Sequence, residues 1–192
     1  MLASHRPAES RTTRSSIARL HPLSTRMPRD DDATIRVGIG YDSHRFAQGR
    51  PLILGGVVIP SEVGLLGHSD ADAICHAVTD AILGAAGLGD IGEMFPDTDA
   101  ANNGRDSIAM LEAAVKRIAT AGYGVHQVDV SVVAETPRLT PHREKIRARL
   151  ASALGIESAS VSVKGKSNEG MGWIGRKEGL ACIAVATLKR NR

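Results

Sequence analysis

An aspartate and a histidine two residues apart, Asp42-Ser43-His44, close a short apolar run, Ile35-Arg36-Val37-Gly38-Ile39-Gly40-Tyr41. The alternation and β-branched residues of that run predict a strand, on which residues i and i+2 point to one face. The carboxylate and the imidazole are thereby set to converge on one ion. A second imidazole, His76, lies in His68-Ser69-Asp70-Ala71-Asp72-Ala73-Ile74-Cys75-His76-Ala77-Val78-Thr79-Asp80, which reads as a helix N-terminus and its first turns. Two histidine nitrogens and one carboxylate oxygen suit Zn²⁺, and three protein ligands leave one position open, as a catalytic zinc requires. The fold must then bring the end of this strand against the start of this helix. A D-x-H triplet alone is more often an ordinary strand end, so the surrounding sequence decides.

At 192 residues the chain is long enough for one domain with a real core and too short for two comfortable ones. No apolar stretch approaches the roughly 20 residues of a membrane-spanning helix, so no membrane partner is expected. Aromatics are only 3% of the chain, which leaves Val, Ile, Leu and Ala to build the core. Cys75 and Cys182 cannot form a disulfide framework; as small buried apolar residues they fit a reducing, cytoplasmic setting. The net charge of +3 misleads. Residues 1–29 hold six arginines against one acid, Glu9, and so carry +5, which leaves −2 for the rest. The basic balance belongs to a tail and does not argue for nucleic-acid binding by the domain.

Residues 1–33 are rich in Arg, Ser, Thr and Pro without hydrophobic periodicity and are expected to be a disordered extension, with residues 34–192 as the catalytic domain. Such a start also fits an organelle import signal, or a true start at Met27. Beyond it the elements alternate. A strand at 35–41 precedes a hairpin-like pair, Leu52–Leu54 and Val57–Ile59, turned by Gly55-Gly56. A helix over about 70–86 takes Ser69 as N-cap with Asp70 and Asp72 in its first turn. A Gly/Pro-rich loop from Gly87 to Asn103 is long enough to be functional. A helix over about 106–121 stops at Gly122. Val125 to Ala134 alternates as a strand with Val128, Val130 and Val132 on one face. A helix begins near Pro141 and ends before Gly155, and strands near 160–164 and 180–188 follow. This order predicts an α+β fold, a single-domain sheet with helices on one face.

His68-Ser69-Asp70 falls where helix-start N–H groups point outward, a ready anion site. Asp72, His76 and Asp80 fall at i, i+4 and i+8, so an aspartate on His76's own helical face is placed to orient its ring. Without Asp42 and His44 the same face would read as a solvated acidic surface. Gly89-Asp90-Ile91-Gly92-Glu93-Met94-Phe95-Pro96-Asp97-Thr98-Asp99 offers acids and glycines to hydroxyls or a cation, though turn-forming residues look similar. Lys164-Gly165-Lys166-Ser167-Asn168-Glu169-Gly170 offers cations and a hydroxyl to phosphate oxygens and a carboxylate to a hard cation, without P-loop spacing.

Taken in order, these segments resemble the 2-C-methyl-D-erythritol 2,4-cyclodiphosphate synthase family of the non-mevalonate isoprenoid pathway, from about Ile35 to Leu188. The markers are Gly40-Tyr41-Asp42-x-His44, Gly67-His68-Ser69-Asp70-x-Asp72, His76-Ala77-x-x-Asp80-Ala81, Gly89-Asp90-Ile91-Gly92, Phe95-Pro96-Asp97-Thr98-Asp99 and Glu178-Gly179. The resemblance implies a homotrimer with active sites shared between neighbours and a cytidine diphosphate substrate. It implies zinc on Asp42, His44 and His76, a helix-entry pair at His68 and Ser69, and a ribose-binding loop at Asp90, Ile91 and Gly92. Phe95, Pro96, Asp97, Thr98 and Asp99 match the loop over the methylerythritol phosphate. Ala134, Pro137, Arg138 and Leu139 match the cytosine pocket. Lys166, Ser167 and Asn168 match the phosphate-facing segment, Trp173 and Arg176 further substrate contacts, and Glu169 the ligand of a second cation, Mg²⁺ or Mn²⁺.

The chain departs from the family pattern at Gly165-Lys166-Ser167-Asn168, where Ala-Thr-Thr-Thr is usual, at Arg138 for Lys, and at Met171-Gly172-Trp173 for Leu-Gly-Phe. The implied reaction is intramolecular: a 2-phosphate attacks the β-phosphorus of 4-diphosphocytidyl-2-C-methyl-D-erythritol 2-phosphate and CMP leaves. His68 and Ser167 would steady charge on the phosphates. The rival readings are a zinc phosphohydrolase and a structural-zinc interaction module. The latter normally closes all four positions with Cys and His.

Overall fold

The structure, a computed structural model, describes residues 35–191. The expected disordered extension, residues 1–33, lies outside the described residues. The chain runs β1 (Arg36–Gln48), β2 (Leu52–Leu54), β3 (Val57–Ile59), β4 (Val63–Leu65), α1 (Ala73–Ala86), α2 (Ile91–Met94), α3 (Ser107–Thr120), β5 (Tyr123–Val133), α4 (Arg143–Leu154), β6 (Val161–Lys166), α5 (Gly172–Gly175) and β7 (Gly179–Arg190). The main sheet has the order β4-β1-β7-β5-β6. Among the described strands only β5 and β6 pair in parallel, and α4 makes their crossover. The sheet is thus mixed, and α1, α3 and α4 cover one face of it, as an α+β reading requires.

The alternation of each strand sorts its residues between the two faces. Val128, Val130 and Val132 on β5, and Leu180, Cys182, Ala184, Ala186 and Leu188 on β7, are buried toward the helices. Each fully buried Val or Leu contributes about 1.5–3 kcal/mol over an exposed one. On the opposite face, Val37, Ile39 and Tyr41 of β1 stand exposed beside Ile183 and Val185 of β7, an apolar strip left uncovered by the other described residues.

Two glycines set how closely α1 lies on β1. A Cβ at Gly40 would stand 1.9 Å from the Ala77 carbonyl oxygen, and one at Gly38 2.1 Å from that of Ala81. The helix answers with a stripe of buried Ala73, Ala77, Ala81 and Ala85 at i, i+4 spacing. Gly38, Gly40, Asp42 and His44 share one face of β1, so the glycines that admit the helix also aim the two polar side chains at it.

Several boundaries differ from the sequence expectations. β1 does not end at Tyr41 but runs through Asp42 and His44 to Gln48, pairing with β7 and then β4. The hairpin turn is as read, with Gly55 and Gly56 both at positive φ (58° and 70°), which a two-residue turn between twisted strands favours. The N-cap of α1 is Asp72, not Ser69: its carboxylate accepts from the Ile74 and Cys75 amides. It also accepts from the amides of Gly55 (2.8 Å) and Gly56 (2.6 Å), so one wholly buried side chain ties the hairpin to the helix. Cys75 is buried as expected but is more than an apolar filler. Burial and the neighbouring Asp72 push its thiol pKa up, and the protonated sulfur donates to Asp72. The loop at 87–103 contains α2 and a 3-10 turn at Ala100–Asn102.

Candidate metal centre and its cavity

Asp42 and His44 come from β1, His76 from the first turns of α1. Asp42 Oδ2 lies 2.9 Å from His44 Nε2 and 3.0 Å from His76 Nδ1, and the two nitrogens are 3.3 Å apart. Ligands at the usual 2.0–2.1 Å from a tetrahedral metal sit about 3.3 Å from one another, so these three atoms can close on one ion with little movement. Together the three residues form a group able to hold a metal.

The remote ring nitrogens have partners outside the group, while the inner ones face Asp42. His44 Nδ1 donates to the Leu66 carbonyl at 2.8 Å, so in the neutral ring the lone pair falls on Nε2, toward the site. His76 Nε2 lies 2.9 Å from Ser107 Oγ and 3.0 Å from Ser69 Oγ. The aspartates expected to orient His76 do other work. Asp72 caps the helix, and Asp80 accepts the Ile91 amide at 2.8 Å. The expected anion site at the start of α1 is likewise filled from within, because Asp72 occupies those amides.

Burial alone would raise the Asp42 pKa, but hydrogen bonds from both imidazoles outweigh it and hold the carboxyl well below the usual carboxylate range. For His44, burial lowers the pKa and Asp42 raises it, and Asp42 wins. For Asp80, burial dominates and pushes the carboxyl up.

Beside this group lies a cavity of about 180 Å³ lined by His44, His68, Ser69, His76, Ile91, Gly92, Phe95, Asp97, Asn102 and Met110. Of the residues expected at the site, His68, Ser69, Ile91, Gly92, Phe95 and Asp97 line it. Asp90 instead caps α2 through the Glu93 amide, and Asp99 caps the 3-10 turn. Pro96 accepts from the Asn102 side chain, and Thr98 lies exposed in the same loop. Arg105, which stacks on Phe95 at 4.7 Å and donates to Asn102, fixes that loop from behind.

A second pocket, about 300 Å³, is lined by Ala134, Glu135, Pro137, Arg138, Leu139, Lys166 and Ser167 at the ends of β5 and β6. Asn168 and Glu169 follow in the loop after β6. Glu135 accepts the amides of Asn168 (2.9 Å) and Gly170 (3.1 Å), while Ser167 donates to Glu169, which sits at φ 50°. Trp173 lines a third pocket with Ser43, His44, Arg45 and Glu178, and Arg176 pairs with Glu178 at 2.7 Å. The first two pockets share no residue. Strand register places Asp42, Cys182, Val132 and Gly165 in one row across the sheet, so three strand spacings, about 14 Å, separate the metal group from the β6 end.

Sequence reasoning missed Ser107, Leu66 and Arg50. Ser107 falls within the helix expected over about 106–121 and carries no reading of its own. Arg50 donates to the carbonyls of Gly67 and Ser69 and so brackets His68, a contact across 17 residues that no local pattern announces.

An open-sided group of two imidazoles and one carboxylate, set between a sheet and its covering helix beside a cavity, is the layout of a metal-dependent α+β enzyme. The chain belongs to the YgbB family, which matches residues 35–189. It is 65% identical over 154 residues to the 2-C-methyl-D-erythritol 2,4-cyclodiphosphate synthase of Gemmatimonas aurantiaca, covering 80% of this chain and 93% of that one. It is 55% identical to the synthase of Bordetella petrii over 81% of this chain and 96% of the relative. Among solved structures, IspF of Plasmodium falciparum in a CDP complex is 37% identical with a TM-score of 0.72, over 82% of this chain and 97% of that one. The bifunctional IspDF of Campylobacter jejuni is 40% identical with a TM-score of 0.80, over 83% of this chain but 43% of that one.

Proposed function

We propose that this enzyme is a phosphorus–oxygen lyase that converts 4-diphosphocytidyl-2-C-methyl-D-erythritol 2-phosphate to 2-C-methyl-D-erythritol 2,4-cyclodiphosphate and CMP. The observation that carries the reading is the convergence of Asp42, His44 and His76 on one point beside the cavity of His68, Ser69 and Phe95. The nucleophile and the leaving group belong to one substrate, so the chain's task is to fold that substrate and bear its charge. Holding reacting atoms in place supplies several kcal/mol, on the order of known positioning effects.

The donor set fits zinc at Asp42, His44 and His76, and a carboxylate oxygen at Glu169 fits Mg²⁺ or Mn²⁺. When bound, these ions would supply Lewis-acid polarisation and charge neutralisation at the diphosphate. His68 and Ser167 steady the phosphates. Gly92 and Asp90, the latter while also capping α2, hold the ribose, Phe95 to Asp99 cover the methylerythritol end, and Ala134 to Leu139 take the cytosine. The separation of about 14 Å between the two groups within one chain supports a site completed by a second copy. The exposed Val37, Ile39 and Tyr41 strip supports assembly as a homotrimer. Two free buried thiols support a cytoplasmic setting.

Purified protein given the cytidyl substrate should release CMP and cyclic diphosphate in equal amounts. Inorganic phosphate in place of the cyclic product would make it a hydrolase, and no turnover would defeat the enzyme reading. Glu169→Gln should cut turnover strongly and shift its Mg²⁺ or Mn²⁺ dependence with zinc retained. Mixed with His76→Ala under demonstrated subunit exchange, it should regain activity; absence of rescue would refute the shared site.

A further inference from the structure

We infer that Ser107, anchored by Asp70, is a positioning residue that selects the ring tautomer of His76 and thereby sets the affinity of the centre for its metal. The inference rests on the metal reading of Asp42, His44 and His76. It concerns a residue on α3, an element that contributes no ligand to that group.

His76 faces two competing partners. On the inner side, Nδ1 lies 3.0 Å from Asp42 Oδ2, a strong acceptor that favours a hydrogen on Nδ1. A metal needs the opposite arrangement, with a lone pair on Nδ1 and the hydrogen on Nε2. On the outer side, Nε2 meets Ser107 Oγ at 2.9 Å. A serine hydroxyl either donates or accepts, so its orientation decides which tautomer it rewards.

Asp70 removes that freedom. Ser107 Oγ donates to Asp70 Oδ1, and the Ser107 amide donates to Asp70 Oδ2 at 3.1 Å. An ionised carboxylate only accepts, so the Ser107 hydrogen is committed to Asp70 and its lone pair is left facing His76. The hydroxyl then accepts from Nε2–H and rewards the metal-ready tautomer. Ser69 Oγ also lies 3.0 Å from Nε2, but its accessible partners are the Ala71 amide, Ser107 and His76 itself, and no carboxylate fixes its hydrogen. Ser107 is fully buried, so water does not replace it. Asp70 is itself held: its amide donates to the Arg105 carbonyl at 3.2 Å, and its Oδ1 accepts the Asp72 amide at 3.2 Å. Between them Ala71 adopts φ 59°, an arrangement a non-glycine residue keeps only when its surroundings impose it. The turn sends Asp70 to Ser107 on α3 and Asp72 to the hairpin.

The test is the zinc dissociation constant by chelator competition for the full chain and for Ser107→Ala, Ser107→Thr and His44→Ala. Ser107→Ala should weaken zinc about 10–100-fold, the range for losing such an outer partner, with a near-unchanged melting temperature for the metal-free protein. Ser107→Thr restores the hydroxyl and should recover most of the affinity. In the zinc-loaded protein the His76 Nε2–H signal should be visible by NMR and vanish or broaden in Ser107→Ala, which a merely structural role for Ser107 would not produce. Wild-type zinc affinity in Ser107→Ala overturns the inference, as does weakening that Ser107→Thr does not restore. If Ser107→Ala fails to fold, Asp70→Asn, which no longer obliges the hydroxyl to point away, should weaken zinc in the same direction; unchanged affinity there overturns the inference equally. His44→Ala separates the two readings. Wild-type zinc binding in that variant means the metal site itself is wrong, whereas its loss beside full affinity in Ser107→Ala refutes only the role of Ser107.

Discussion

Gly40→Ala tests whether the closeness of helix and strand, rather than the ligands alone, makes the metal centre. The new methyl carbon would stand 1.9 Å from the Ala77 carbonyl oxygen and 2.9 Å from the Ala81 nitrogen. Nonbonded heavy atoms settle near 3.5 Å, so α1 must withdraw by about 1.5 Å. The obstacle is backbone and has no alternative rotamer. Overpacking of this kind costs about 1–3 kcal/mol, and we expect the upper end, a fall in melting temperature of roughly 5–10 °C for a domain of this size. Zinc should suffer more than stability. Metal sites tolerate ligand displacements of about 0.2 Å, and His76 rides on the helix that moves while Asp42 and His44 stay on the strand. Zinc affinity should fall by about 100-fold or more, read by chelator competition at a temperature where circular dichroism shows the chain folded. Gly84→Ala is the control. It lies on the same helix with nothing within 4 Å, and it should leave zinc unchanged while stabilising the helix by about 0.5–1 kcal/mol. Wild-type zinc affinity in Gly40→Ala would refute the argument.

Three further outcomes follow from the structure. Asp72→Ala strands the buried amides of Gly55, Ile74 and Cys75 and the half-buried one of Gly56, and should lower stability by about 3–4 kcal/mol in thermal melts, whereas a loss below 1 kcal/mol would mean water replaces the carboxylate. Ile39→Lys places a charge on the exposed apolar strip and should reduce the mass seen by light scattering from the proposed three chains to one; a wild-type protein that is already monomeric would exclude that strip as an interface. A chain beginning at Met27 should match the full chain in kcat and melting temperature, and a large drop in either would show that the extension contributes to the domain.

The pattern of β1 already contained much of the site. Its period of two put Gly38, Gly40, Asp42 and His44 on one face, and the Gly55-Gly56 turn and the Val128-Val130-Val132 stripe were equally legible, because each rests on local geometry. A metal pair on a strand, with a third ligand on a helix, could be written down from residue types and spacing. The partners of those ligands could not. Asp72 and Asp80 share the helical face of His76, yet Asp72 turns back to cap α1 and grip the hairpin, and Asp80 is drawn to Ile91. The ring is held instead by Ser107, 31 residues away, and its hydroxyl is ordered by Asp70, 37 residues from it. A serine at a helix start looks the same whether it faces water or an imidazole, so only the packing of α3 against α1 distinguishes the two. Likewise the sequence offered two groups of candidate substrate residues, while the register of β1, β7, β5 and β6 decided that they stand three strands apart. Local periodicity determines which way a side chain points; what it meets there depends on contacts between distant segments, which exist only once the chain has folded.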